Sequence, residues 1–413
     1  MTMNSRERVL AAFAHEEPDR VPTWCGASDE FWVKAKGELA LDDEGLRERF
    51  GDDFRRVFPR YAGPPVELPE GATSATPFGV PRNGLGYGQP MSHPLAGASL
   101  AEVHAYPWPD PAWQDVSHIR AAAARYGGQY AILGGDWSPF WHDLIDLLGM
   151  ETMYLTMYDR PEAIDALVEH VVDYYCEVSR RIFDAAGDVI DVFFIGNDFG
   201  SQRSPLVSVA MFRRFLLPPM RRLVDLGHAY GLKVMLHCCG AFTELIPSLI
   251  EIGLDGLHAL QPCCEAMQPQ RLKEQFGGHI LLNGAIDSHH VLIEGTPEQV
   301  REATRATLEI LMPGGGYIAG ASHDCILPET PVENVLAMFD TIREWGHYRR
   351  PSPRGHVHAP VAAPAGRAAQ AAAGKSVLAL AEQTRPCRGH ADNFVHRSIL
   401  NDKRLTGDYA KGK

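Results

Sequence analysis

Apolar residues in the first 350 positions follow two periods. Short runs rich in Val, Ile, Leu and Phe alternate with longer stretches where apolar positions recur every three or four residues. The short runs predict strands at 20–26 (RVPTWCG), 54–61 (FRRVFPRY), 130–137 (YAILGGDW) and 189–200 (VIDVFFIGNDFG). Four more are predicted at 233–239 (KVMLHCC), 256–262 (GLHALQP), 279–287 (HILLNGAID) and 316–324 (GYIAGASHD). The helices between the later strands have readable ends. TPEQVREATRATLEIL opens with Thr296 as N-cap, Pro297 at the first helical position and Gln299 at the third, the residue types that satisfy free backbone N–H groups there. PVENVLAMFDTIREWG starts at Pro331 and stops at Gly346. Eight strands with intervening helices predict a single α/β domain over 1–350, a (β/α)8 barrel. The Pro/Gly-rich stretch 62–129 is too long for one crossover and predicts an elaborated loop over the barrel mouth.

Beyond residue 350 the periodicity stops. PSPRGHVHAPVAAPAGRAAQAAAGK is Pro/Ala/Gly-rich, and 351–413 is expected to be a disordered tail, with SVLALAEQ as one short helix. The tail has ten Lys/Arg and four Asp/Glu, so the formal net charge of −13 leaves 29 Lys/Arg against 48 Asp/Glu in the body, a charge of −19. So acidic a body, with no basic stripe interleaved with aromatics, excludes nucleic acid as partner. No apolar run is long enough to cross a bilayer, and the N-terminal stretch has charges throughout where a secretion signal would be apolar. A cytoplasmic, reducing location is expected, in which the eight cysteines are thiols or metal ligands.

The chemistry-bearing residues gather where predicted strands end. They are Asp136, Asn197 and Asp198, His237 and Cys239, His258 and Gln261, Asn283 and Asp287, and His323, Asp324 and Cys325. Active sites of (β/α)8 barrels are built at that end, and packing alone gives a strand no reason to finish so regularly in polar residues. In HCCG, His237 and Cys239 lie two apart on one side of a strand, with Cys238 on the other. Imidazole plus thiolate suits Zn²⁺, and Cys325 at the end of the last strand is placed to add a third ligand around the ring. The competing reading is that these cysteines fill a core. Cys263 and Cys264 are a rival thiol source in a loop, read as incidental packing or a spare site. Asp198 is either a helix N-cap or a catalytic carboxylate. His289 and His290 read as a solvated helix face, and Gly314–Gly316 as a tight loop.

Five blocks in order resemble the uroporphyrinogen decarboxylase superfamily, which includes corrinoid-dependent methyltransferases. They are SRERVLAAFAHEEPDRVP, GNDFGSQRSPLVS, HCCGAFTELIPSLIEIGLDGLHALQP, LKEQFGGHILLNGAID and PGGGYIAGASHDCILPETPVENVLAMF. The resemblance implies a (β/α)8 barrel. The arginine-rich segment with which porphyrin decarboxylases grip substrate carboxylates is replaced here by VPTWCGASDEFW, which has no arginine. The resemblance is therefore to the methyltransferase branch, and it implies zinc on His237, Cys239 and Cys325. It further implies Asp198 as the catalytic carboxylate, and Asn197, Gln261 and His323 as substrate-lining residues. The expected reaction moves a methyl group between a small thiol, methyl ether or methylamine and a corrinoid protein. The chain has no corrinoid-attachment motif, so that cofactor would arrive on a separate partner. A metal-independent decarboxylase and a non-catalytic metal or tetrapyrrole binding module are the alternatives.

Overall fold

The computed structural model describes residues 2–84 and 88–348. Seven parallel strands form one sheet in chain order: β1 (Phe54–Arg56), β2 (Ala131–Gly134), β3 (Val192–Gly196), β4 (Lys233–His237), β5 (Gly256–Leu260), β6 (Leu281–Ile286) and β7 (Tyr317–Ala321). The central strands are buried on both faces, as helices over a parallel sheet require. The crossovers include the long helix Pro161–Ala186 after β2, Pro297–Leu311 after β6 and Val332–Trp345 after β7. The helix at 297–311 starts as its sequence predicts, with Thr296 and Gln299 making reciprocal cap bonds.

The sheet curls, bringing β1 and β7 to either side of residues 21–24. Asp53 N–H donates to the Thr23 carbonyl (3.0 Å), Trp24 N–H to Ala319 (2.9 Å) and Ala319 N–H to Pro22 (2.9 Å). The strand expected over 20–26 is reduced to isolated pairings, Thr23 with Ala319 and Ala27 with Ile326. The physical reason is Pro22, which has no N–H to donate to a ladder. Similarly, the strand expected over 54–61 stops at Arg56. Pro59 interrupts it, and Arg60–Tyr61 turn away to pair antiparallel with Gln114–Asp115.

The stretch expected as an elaborated loop is more structured than that. It holds a three-stranded antiparallel ribbon (74–75, 81–83 and 89–90) and two short helices, Leu100–Ala105 and Ile119–Ala124. A buried ion pair between Arg82 and Asp146 fastens it to the helix Phe140–Leu148. Inside the curl, Phe54, Leu133, Val192, Phe194, Met235, Leu281 and Ile318 pack with Trp24. Val9, Ala12 and Phe13 of the helix Ser5–Phe13 join that cluster, where burial stabilises by roughly 1.5–3 kcal/mol per large side chain. The tail 351–413, with its expected short helix, lies outside the described residues.

Candidate active site

The strand ends decide which side chains meet. β3, β4 and β5 run in register, with Gly196 beside His237 and His237 beside His258. His237 therefore projects from the middle of the sheet with its ring buried. Its Nε2 lies 3.3 Å from Cys239 Sγ and 3.4 Å from Asp198 Oδ1. Its Nδ1 lies 3.1 Å from His258 Nδ1. Cys238 takes the opposite side and accepts from Phe199 N–H at 3.3 Å, as the two-residue period predicts.

Two glycines make this approach feasible. A side-chain carbon on Gly196 would fall inside the Trp137 ring, which flanks His237 with centroids 5.5 Å apart. Gly240, at φ +82°, carries the chain from Cys239 against the next loop; a carbon there would meet Gly200 at 2.6 Å. The two loops then pair at Ser201 and Ala241. That fixes Asp198, whose Oδ1 accepts from Cys239 N–H at 2.7 Å.

Asp198, His237 and Cys239 offer ligand atoms within 4.8 Å of one another, and His237, His258 and Asp324 form a second such group. Carboxylate, imidazole and thiol are a donor set that suits zinc. Cys325 belongs to neither group. Its Sγ lies 3.5 Å from Asp324 Oδ2, while its backbone N–H donates to His323 Nδ1. The structure thus brings His237 and Cys239 together with Asp198, and leaves Cys325 one residue's reach away.

Electrostatics favours a cation here. Burial, then the Asp198 charge, pushes the Cys239 thiol well above its ordinary pKa, and burial plus Asp324 does the same to Cys325. Burial works to raise Asp198 too, but hydrogen bonding and charge from His237, with the charge of His142, hold its carboxyl well below the usual range. His237 is raised in turn: burial opposes its charge, and Asp198 outweighs burial. His258 is driven well down by burial and by the neighbouring His237. Arg56 brings the nearby positive charge. Its guanidinium lies over the Trp24 ring (4.5 Å) and the Phe194 ring (4.8 Å), 4.0 Å from Asp324 Oδ1.

The other expected residues are placed as follows. Gln261 accepts from Gly240 N–H at 2.9 Å, holding the HCCG turn from the neighbouring strand end. Asn197 is fully buried; its Oδ1 accepts from Trp141 N–H (2.9 Å) and its Nδ2 donates to the Ser138 carbonyl (3.0 Å). Both ends of that amide bind backbone, so its geometry positions the loop after β2 rather than a substrate. Asp136 is buried beside it, its carboxyl raised by burial to about 6. His323 is half-buried at the rim, and Cys264 Sγ lies 3.8 Å from Gln261 Oε1. His142, which accepts from Asp198 N–H at 3.1 Å, escaped the sequence reading. The available signal was FWHDLIDLL, a helix with three polar residues on an otherwise apolar surface, all of them buried.

The family model for uroporphyrinogen decarboxylase matches residues 88–345, more than half of the chain and nearly all of this site. The chain belongs to the uroporphyrinogen decarboxylase family. Among curated members and relatives, this family protein is 24% identical over 269 residues to the methylated-thiol–coenzyme M methyltransferase of Methanosarcina mazei, covering 63% of this chain and 67% of that one. It is 20% identical over 231 residues to the methylcobamide:CoM methyltransferase MtbA of Methanosarcina acetivorans, covering 55% and 62%. The chain thus spans about two thirds of the length of these relatives. A solved methyltransferase from Methanosarcina mazei shares the fold at a TM-score of 0.57, with 19% identity over 83% of this chain and 99% of the other. Its relatives are methyltransferases, and no helix among the described residues is long and apolar enough to cross a membrane.

Proposed function

We propose that this family member is a zinc-dependent methyltransferase that moves a methyl group between a small substrate, a thiol in the first instance, and a corrinoid protein. The observation that carries the reading is the convergence of Asp198, His237 and Cys239 at the strand ends, in a chain whose relatives are named for thiol and methylcobamide methyl transfer. In this reading residues 1–350 are one barrel domain, with 20–27 as its eighth stave.

His237 and Cys239 would hold the metal, with Asp198 or Cys325 as the third protein donor. Bound zinc would supply positive charge that keeps a thiol ionised at neutral pH, or polarises the bond to a departing methyl group. The chain's own residues do the rest. Asp198 stays ionised while buried, so its Oδ2 can orient a substrate and balance a bound cation. Gln261 and the Gly240–Gly200 contact keep the Cys239 thiol facing His237. Trp24, Trp137 and Phe194 exclude water from the imidazole side. His323 lines the rim, where the corrinoid partner would dock.

The test is metal content of the purified chain beside His237→Ala, Cys239→Ser and Cys325→Ser, followed by methyl-transfer assays with a methylated corrinoid protein and a panel of thiols. One zinc per chain, lost in the first two variants, with corrinoid-dependent turnover is expected. Loss in Cys325→Ser as well would make that thiolate the third donor; retention there with loss in Asp198→Asn would assign Asp198. A folded chain that binds no metal would move a metal-independent decarboxylase to the front.

A further inference from the structure

On the β1 side of the donor cluster, a cation stands among aromatic rings. Arg56 ends β1, and its guanidinium lies over Trp24 (4.5 Å) and Phe194 (4.8 Å), rings that are themselves 4.9 Å apart. Other arginines around β1 close on carboxylates: Arg55 Nε on Glu44 at 3.1 Å, Arg47 Nη1 on Asp52 at 2.8 Å and Arg20 Nη1 on Asp53 at 2.9 Å. Arg56 is held differently. Its Nη2 is buried and has no hydrogen-bond partner, although the side chain as a whole is 25% exposed. Asp324 Oδ1 stands 4.0 Å from that nitrogen, a distance at which a carboxylate offsets charge without accepting the N–H.

A second donor in the same place is equally unmatched. Trp24 is 2% exposed, and its indole Nε1, which can only donate, has no hydrogen-bond partner. The two donors come together at Asp324, and Gly26 allows it. A side-chain carbon on Gly26 would lie 3.2 Å from Trp24 Nε1 and 2.1 Å from the Asp324 carbonyl oxygen. The missing side chain thus lets the residue that flanks Arg56 come up against the indole nitrogen. Leaving a buried N–H unmatched is costly, more so on a charged group, and native structures carry few of them. A water accepts from either donor, but only an anion answers a guanidinium charge in apolar surroundings. The place adjoins the donor cluster: Asp324 belongs with His237 and His258 to the group whose ligand atoms lie within 4.8 Å of one another, and the His258 and Trp24 ring centroids are 4.4 Å apart.

We propose that Arg56 and Trp24 form an anion subsite beside the donor cluster, and that the small substrate is a thiol or methyl thioether carrying an acid group, carboxylate or sulfonate. The reaction rests on the methyl-transfer reading; the subsite rests on the side chains alone. One acid oxygen takes the guanidinium N–H in a charge-assisted hydrogen bond, and another takes the indole N–H. The sulfur end of a short molecule then lies toward His237 and Cys239. The flanking rings keep water from the guanidinium, which strengthens its pull on an anion. One guanidinium fits one acid group, in contrast to the arginine-rich segment that VPTWCGASDEFW replaces. Arg56 therefore selects a small monoacid against neutral thioethers and against polyacids.

The test uses the full chain without a corrinoid protein, so that no methyl group moves, and the probes methylthiopropionate, its amide and methylthiopropanesulfonate. By calorimetry the preferred acid should bind about 10–100-fold more tightly than the amide. The two acids side by side show whether carboxylate or sulfonate fits better, and a preference for either over the amide supports the subsite. Arg56→Gln should remove that preference by weakening the acids alone, and Trp24→Phe should reduce it by about threefold to tenfold. In nitrogen-15 spectra of the wild-type chain, the indole signal that Trp24→Phe removes should move with the acid and hardly move with the amide at the same concentration. Equal binding of acids and amide, failure of both acids to bind, or a preference that survives in folded Arg56→Gln would overturn the subsite. If Arg56→Gln does not fold, the wild-type indole shift decides. If the acids bind as expected and no corrinoid-dependent methyl transfer is found, the proposed function fails and the subsite stands.

Discussion

The two ends of the strands carry similar residue types and arrange them oppositely. Below the sheet, the carboxylates that precede three of the strands close on opposite charges. Asp53, fully buried just before β1, accepts from Arg20 Nη1 and Nη2 at 2.9 Å, from Arg8 at 3.2 Å and from Thr23 N–H at 2.8 Å. Asp191 before β3 holds Arg6, and Asp255 before β5 holds Lys233 and His228, each at 2.8 Å. Above the sheet, carboxylates, thiols and imidazoles crowd together, with Arg56 the nearby guanidinium. At that end Asp53, Asp191 and Asp255 are each matched by a cation. The open end is short of positive charge in a buried place, an arrangement that invites a cation and shifts pKa values. The contrast separates residues that hold the fold from residues kept for chemistry.

Breaking the closed end should give the largest change in stability. Asp53→Ala leaves two arginines without their shared partner, and a loss of about 3–5 kcal/mol is expected in urea unfolding, with zinc stoichiometry unchanged in the folded fraction. Breaking the open end should do the reverse. Asp198→Asn preserves shape and removes charge, so kcat/KM for methyl transfer should drop about 10–100-fold while the urea midpoint hardly moves. Equal stability losses for the two variants would erase the distinction.

The smallest effect lies between the two ends. Asp143, buried on the helix Phe140–Leu148, is raised by burial to about 8 and accepts from Tyr175 O–H at 2.5 Å. Its folded pKa lies above the unfolded value near 3.9, so the fold favours the protonated form. Its stabilising contribution is full below about pH 4 and is lost as the pH rises toward 8. Asp143→Asn should flatten the pH dependence of stability over that window, a slope of at most about 1.4 kcal/mol per pH unit for one proton. An unchanged slope would show that Asp143 titrates normally.

Much of this was legible in the sequence because strands have a rigid period. HCCG put His237 and Cys239 on one side and Cys238 on the other before any coordinates, and the apolar run before GNDFG pointed to Asp198. Seven of eight expected strands lie in the sheet, each trimmed at one end or both. What period cannot reveal is which polar residue meets which. Asn197 and Asp198 are neighbours with identical patterning, yet one binds loop backbone and the other faces His237. His142 lies on a helix, where burial of a polar residue depends on a partner 56 positions away. The contact between His237 and His258 depends on strand register, which is set by packing across the whole sheet.

The junction at residues 20–28 has a consequence for how the chain is made. Val21 N–H bonds to Gly346, Trp24 N–H to Ala319 and Ser28 N–H to Ile326, so this segment waits for partners made about 300 residues later. Until about 300 further residues have emerged, Trp24 has no β7 to lie against, and an apolar interior stands open to solvent or to chaperones. Pairings so distant in sequence are slow to form and expose the incomplete sheet meanwhile. These pairings therefore form only once the β7 segment has been made, and the donor cluster cannot recruit Asp324 or Cys325 before then.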